Sequence, residues 1–123
     1  RRVRRLLALA MLLGLAAPAV AQAPRTPEQR QNLLDLAFVL GEAHGLRAAC
    51  QGAEDQVWRA RMTGLLTVEK PDDAFRRTLV ARFNAGYAAR KARTPACLDD
   101  TPAQERAAAE RGQALAAKLG TGG

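Results

Sequence analysis

Residues 26–43 read TPEQRQNLLDLAFVLGEA, and this stretch decides the fold. Thr26 is placed to cap a helix, Pro27 suits the first helical position, and Gln29 completes a capping box. Leu33, Leu36, Leu40 and Ala43 then recur at helical spacing, while Leu34, Ala37, Phe38 and Val39 widen the apolar stripe until only Asp35 interrupts it. A helix apolar on most of its faces belongs at the centre of a bundle. Gly41 and Gly45 weaken its far end, so the expected helix stops or kinks before Cys50.

Working outward from this helix, Gln51-Gly52 is a turn, and a second helix is expected over 53–69. Glu54 and Asp55 stand at its start, where negative charge suits the helix dipole. Its expected inner stripe is Trp58, Met62, Leu65 and Val68 or Glu69. Lys70-Pro71 ends it, and Asp72 can cap a third helix running to about Arg93. Phe75, Leu79, Phe83 and Tyr87 lie along that helix at i, i+4 spacing. After the Thr94-Pro95 break, Thr101-Pro102-Ala103-Gln104 repeats the opening cap signal. A fourth helix then runs to about Leu119, with Ala108, Gly112, Leu115 and Leu119 inward. Glu69, Asp72 and Asp73 read as capping acids beside loops. No segment alternates with period two, so strands are not expected. The fold class is all-α: a small four-helix bundle-like domain with an ordered core over about 27–119.

The N-terminal end reads as an address. Arg1, Arg2, Arg4 and Arg5 precede twelve apolar residues (6–17), then Pro18 and the small-residue pattern Ala19-Val20-Ala21. This is the layout of a secretory signal peptide over 1–21. Twelve apolar residues fall short of the roughly twenty that span a bilayer. Cleavage after Ala21 leaves one helical domain, 22–123, in which Ala23-Pro24-Arg25 is a short leader. The formal charge of +7 invites a nucleic-acid reading, but four units belong to the signal segment, leaving +3. With no nucleic-acid motif and an export signal, nucleic acid is not an expected partner. The expected location is periplasmic or secreted, without a permanent membrane span.

Cys50 and Cys97 are the only cysteines, and in an exported chain an even count implies a disulfide. The core has no isoleucine and is thin, so a staple is useful. Chain entropy assigns about 4 kcal/mol to a bridge of this span.

Few residues carry chemistry. His44 is the only histidine, extends the inner stripe of the first helix by one turn, and is followed by Arg47. Both would point into the bundle and need partners, for which Asp55 and Glu69 are candidates. Trp58 with Arg59 and Arg61 can form a cation–π and anion-binding patch, although Trp58 on the stripe reads first as core. Arg76, Arg77, Arg82, Arg90, Lys91 and Arg93 make the third helix basic, the usual pattern of a solvated face. One histidine and two separated cysteines are poor material for a metal site. No nucleophile, phosphate-loop or zinc-protease motif occurs, and no cofactor is expected.

Taken together, Leu40-Gly41-x-x-His44-x-Leu46-Arg47-x-x-Cys50, Trp58-Arg59-x-Arg61-Met62, Glu69-x-Pro71, Phe83-Asn84-x-Gly86-Tyr87 and Cys97 form a pattern. It resembles a family of small secreted alphaproteobacterial proteins of unknown function, over about Leu33 to Leu119. Gly45 stands where that family often carries an aromatic, and Leu98 where it often carries threonine. The resemblance implies a periplasmic protein and singles out His44, Arg47, Trp58, Asn84 and Tyr87, but it transfers no catalytic role. One buried polar network joining these residues across the first three helices is expected, with Asn84 bridging helices by its amide. The functional expectation is a non-enzymatic envelope protein that binds a protein partner. The alternative is a small ligand- or anion-binding module using Arg47, Trp58, Arg61 and Tyr87. An enzyme centred on His44 ranks third.

Overall fold

The computed structural model describes Gly14 and residues 24–120. The signal segment expected over 1–21 otherwise lies outside the described residues. Four helices follow in order: α1 (Pro27–Gln51), α2 (Val57–Glu69), α3 (Asp73–Arg93) and α4 (Thr101–Gly120). The all-α, four-helix reading holds, with no strand among the described residues.

The opening stretch behaves as its residues dictate. Thr26 Oγ1 accepts from the Gln29 N–H at 3.1 Å, and Gln29 Oε1 accepts from the Thr26 N–H at 2.9 Å. These reciprocal bonds satisfy two donors that a helix start otherwise leaves open. α1 then packs against all three other helices. Leu33, Ala37, Ala43 and Leu46 on α1 are almost wholly excluded from solvent.

The expected break at Gly41 or Gly45 does not occur, because α1 runs unbroken to Gln51. Its glycines face α3. A Cβ on Gly41 would collide with the Phe83 carbonyl and lie 2.9 Å from the Tyr87 nitrogen. Gly86 of α3 sits the same way against the Phe38 carbonyl and 3.1 Å from the Glu42 nitrogen. The two backbones therefore touch directly. Each glycine gives up about 1 kcal/mol of helix propensity, and the close approach offsets it. The helix ends instead at Gly52, whose φ of 97° suits a residue without a side chain.

α2 begins four residues later than expected. Asp55 stays outside the helix because its carboxylate is already engaged. It accepts from the Val57 N–H at 3.0 Å and from Arg47 Nε at 2.8 Å. The buried face of α2 is Trp58, Met62 and Leu66, while Val68 is 67% exposed. The i, i+4 step thus continues through Leu66 rather than drifting to Val68. α3 starts as expected, with the Asp72 carboxylate accepting from the Phe75 N–H at 2.8 Å.

The second threonine cap is also different. Asp100 takes the flanking position, its carbonyl accepting from the Gln104 N–H at 3.0 Å. Thr101 is the first residue of α4, and its hydroxyl accepts from the Leu98 N–H at 2.9 Å. The same four-residue signal therefore folds the preceding loop rather than capping the helix. Cys50, in the last turn of α1, is bonded to Cys97 in the loop before α4, with Cα atoms 4.7 Å apart.

One buried charge lies within an apolar run of α1. Glu42, 7% exposed, bridges three helices. Arg90 of α3 donates to it at 3.0 Å and Arg111 of α4 at 3.3 Å. A buried carboxylate requires such partners.

Candidate functional site

α2 and α4 both lie along α1 and hardly touch each other. Between them runs an apolar trough of about 390 Å³, with Leu36, Val39 and Leu40 of α1 on its floor. Trp58, Gly64, Leu65 and Val68 form one wall, and Ala108, Ala109, Gly112 and Ala116 form the other. The small residues of α4 leave the space open. Arg61 and Gln113 are the polar side chains in its lining. Trp58 to Val68 spans ten residues of helix, or about 15 Å.

Polar links tie α2 to α4 beyond each end of the trough. At one end Trp58 Nε1 donates to Glu105 Oε2 of α4 at 3.3 Å, and Arg47 lies 3.6 Å from the same oxygen. At the other end Arg25 acts as a clasp. Its Nε and Nη2 donate to Glu69 at 3.0 and 2.6 Å, and Nη1 donates to the Leu119 carbonyl at 3.1 Å. Arg25 therefore joins the C-terminal ends of α2 and α4, and Glu69 answers the leader rather than capping a helix.

The sequence-selected residues divide into two groups. Arg47, Trp58 and Arg61 form a continuous chain through Glu105. Arg61 completes it by lying over the Trp58 ring, 4.8 Å from the centroid. Arg47 also pairs with Asp55, and that hydrogen bond holds the Asp55 carboxyl below its usual range. The guanidinium of Arg47 is shifted upward by the same bond.

His44 and Tyr87 form the second group. His44 is 1% exposed, stacked on Tyr87 at 4.8 Å between ring centroids, with Phe83 at 5.7 Å. Arg59 Nε donates to His44 Nε2 at 3.4 Å. That makes Nε2 an acceptor and puts the proton of the neutral ring on Nδ1. Nδ1 is buried without a hydrogen-bond partner. Burial, and then the Arg59 charge, push the imidazole below its ordinary range, and Asp55 opposes them weakly.

Asn84 joins neither group. It is exposed, on the wall of a shallow cleft between α2 and α3 that Arg59 and Arg76 also line. Its expected helix-bridging role fails because the i, i+4 register of α3 turns Phe83 inward and position 84 outward. The expected single network is two clusters, joined loosely where His44 and Arg47 share α1.

Three contributors had escaped notice. Arg25 lay in the supposed leader, Glu42 was hidden within an apolar run, and Glu105 stands 47 residues from Trp58. For Glu42 the signal was present, since it falls on an otherwise buried turn of α1. No local signal marks Glu105.

Among the described residues no cluster of His, Cys, Asp or Glu could hold a metal ion, and no helix is long and apolar enough to cross a membrane. Residues 28–121 match the family described as Protein of unknown function (DUF2385). The chain belongs to this family. The match covers all four helices apart from Pro27, so the trough and both polar clusters lie within the family's domain. Comparison with curated proteins found no match, and neither did comparison with solved structures.

Proposed function

We propose that this protein is an exported, non-enzymatic binding module of the bacterial envelope, and that the α1–α2–α4 trough is its binding site for a small apolar ligand. The observation that carries this reading is the trough itself. It is an open, mostly apolar trough of about 390 Å³, at the small end of ligand pockets, with polar links between α2 and α4 beyond each end. The Cys50–Cys97 bridge supports an oxidising location.

The narrow concave shape favours a small ligand over the protein partner first expected. The exposed large apolar side chains Val57, Val68, Val80 and Leu98 sit on α2, α3 and the loop before α4, not on one continuous docking face. Burial of His44 speaks for a structural role. A general base must reach a substrate proton, and the acceptor nitrogen here is taken by Arg59.

The test is titration with a neutral, polarity-sensitive dye. The wild type is expected to bind one equivalent saturably. Gly64→Trp, which fills the trough from a position where an added Cβ meets nothing within 4 Å, is expected to abolish binding while leaving the fold intact. Equal dye binding by both proteins would reject the trough as the site.

A further inference from the structure

We infer that the trough takes a single-chain anionic amphiphile, its acidic group at Arg61 beside Trp58 and its apolar chain running toward Val68 and Ala116. This rests on the trough being the binding site.

The charges at the two ends carry the inference. Arg61 is exposed and held over the Trp58 ring, and no carboxylate among the described residues pairs with it. The nearest acid on the facing wall, Glu105, is already engaged by Trp58 Nε1 and Arg47. At the opposite end Arg25 has committed Nε, Nη1 and Nη2 to Glu69 and the Leu119 carbonyl. Arg61 is therefore the one charged side chain in the trough's lining, and it stands at the Trp58 end with its charge unspent. Gln113 is the remaining polar side chain, so the middle of the trough has little with which to solvate a polar ligand. A guanidinium on an aromatic face keeps its outward N–H groups free for a carboxylate or phosphate oxygen. The ligand that matches has one apolar chain of trough length and one terminal anion. A fatty acid and a single-chain phospholipid share this chemistry.

The chain contains one tryptophan, Trp58, so its emission reports the proposed headgroup end directly. The experiment titrates dodecanoate, dodecyl phosphate, dodecanol and dodecyltrimethylammonium, each below its micellar concentration, with dye displacement as a second readout. The two anions are expected to bind at one equivalent, about tenfold tighter than dodecanol, with the cation weakest. Arg61→Gln should erase that tenfold advantage, so that the variant binds the anions and dodecanol alike. The preferred anion then distinguishes a carboxylate source from a phosphate source. Equal affinity for anions and dodecanol, or an anion preference that survives Arg61→Gln, overturns the inference while dye binding in the trough still stands. Dye binding that disappears as protein concentration rises assigns the trough to a second copy and overturns it as well. If neither dye nor any probe binds, the trough reading falls with it.

Discussion

Replacing Gly41 by alanine tests the packing on which the whole arrangement depends. In an exposed helix interior this change is favourable by about 1 kcal/mol, because alanine loses less backbone entropy. Here the new Cβ would meet backbone, not a flexible side chain. It would overlap the Phe83 carbonyl and lie 2.9 Å from the Tyr87 nitrogen. Neither group can rotate away, so α1 and α3 must separate. Overpacking of this kind costs about 1–3 kcal/mol, and parting the helices also loosens the His44–Tyr87 stack. Because the clash is with backbone, the upper part of that range applies, and after the propensity gain a net loss of about 1–2 kcal/mol is expected. For a domain of this size that is a fall in Tm of about 5–15 °C. Gly64→Ala is the internal control. It lies on α2 with nothing within 4 Å of its added Cβ, and should raise stability by about 0.5–1 kcal/mol. Gly41→Ala combined with Gly86→Ala should cost less than the sum, since both force apart the same pair of helices. Thermal melts followed by circular dichroism, with urea titrations, measure the wild type, the three single variants and the double variant. A Gly41→Ala protein that melts at or above wild type would refute the backbone contact.

Three further outcomes are expected. Cys50→Ser with Cys97→Ser should lose up to about 4 kcal/mol in urea titration, and reductant should lower the wild type similarly while leaving the variant unmoved. Because the native His44 pKa is depressed, its contribution to stability is complete above the unfolded value of about 6.5 and is lost as pH falls from there toward the native value. Urea midpoints between pH 8 and 5 should show this fall in the wild type, and His44→Gln should flatten it. Glu42→Ala leaves Arg90 half-buried without its acid and should cost about 3 kcal/mol, whereas exposed Glu110→Ala should stay within about 0.5 kcal/mol by the same titration.

The helices were legible because their signals are local. The Thr26-Pro27-Glu28-Gln29 cap, the Leu33–Leu36–Leu40 spacing, Asp72 and the Thr94-Pro95 break each act within a few residues, and the four helices follow. The errors arose where a distant group decided the outcome. Gly41 looks like a helix breaker until α3 lies against it. The start of α2 moved because Arg47 and the Val57 N–H capture Asp55 first. Thr101 is the exception, since what sets it apart from Thr26 is the Leu98 N–H only three residues upstream. At the candidate site, Arg47 and Trp58 stand out as motif positions and Arg61 as a cation beside Trp58, but Glu105, which joins Arg47 to Trp58, is on the last helix. The trough was not legible at all. It exists because α2 and α4 share α1 and avoid each other, a relation between elements that no spacing within either helix encodes.

The central claim is that the trough is where this protein binds. Methyl-resolved NMR during dodecanoate titration measures that directly. Perturbations are predicted at Leu36, Val39, Leu65 and Val68, with Val80 and the Leu79 core of α3 unmoved. Shifts centred on α3, or no saturable shifts at the trough methyls, would contradict it.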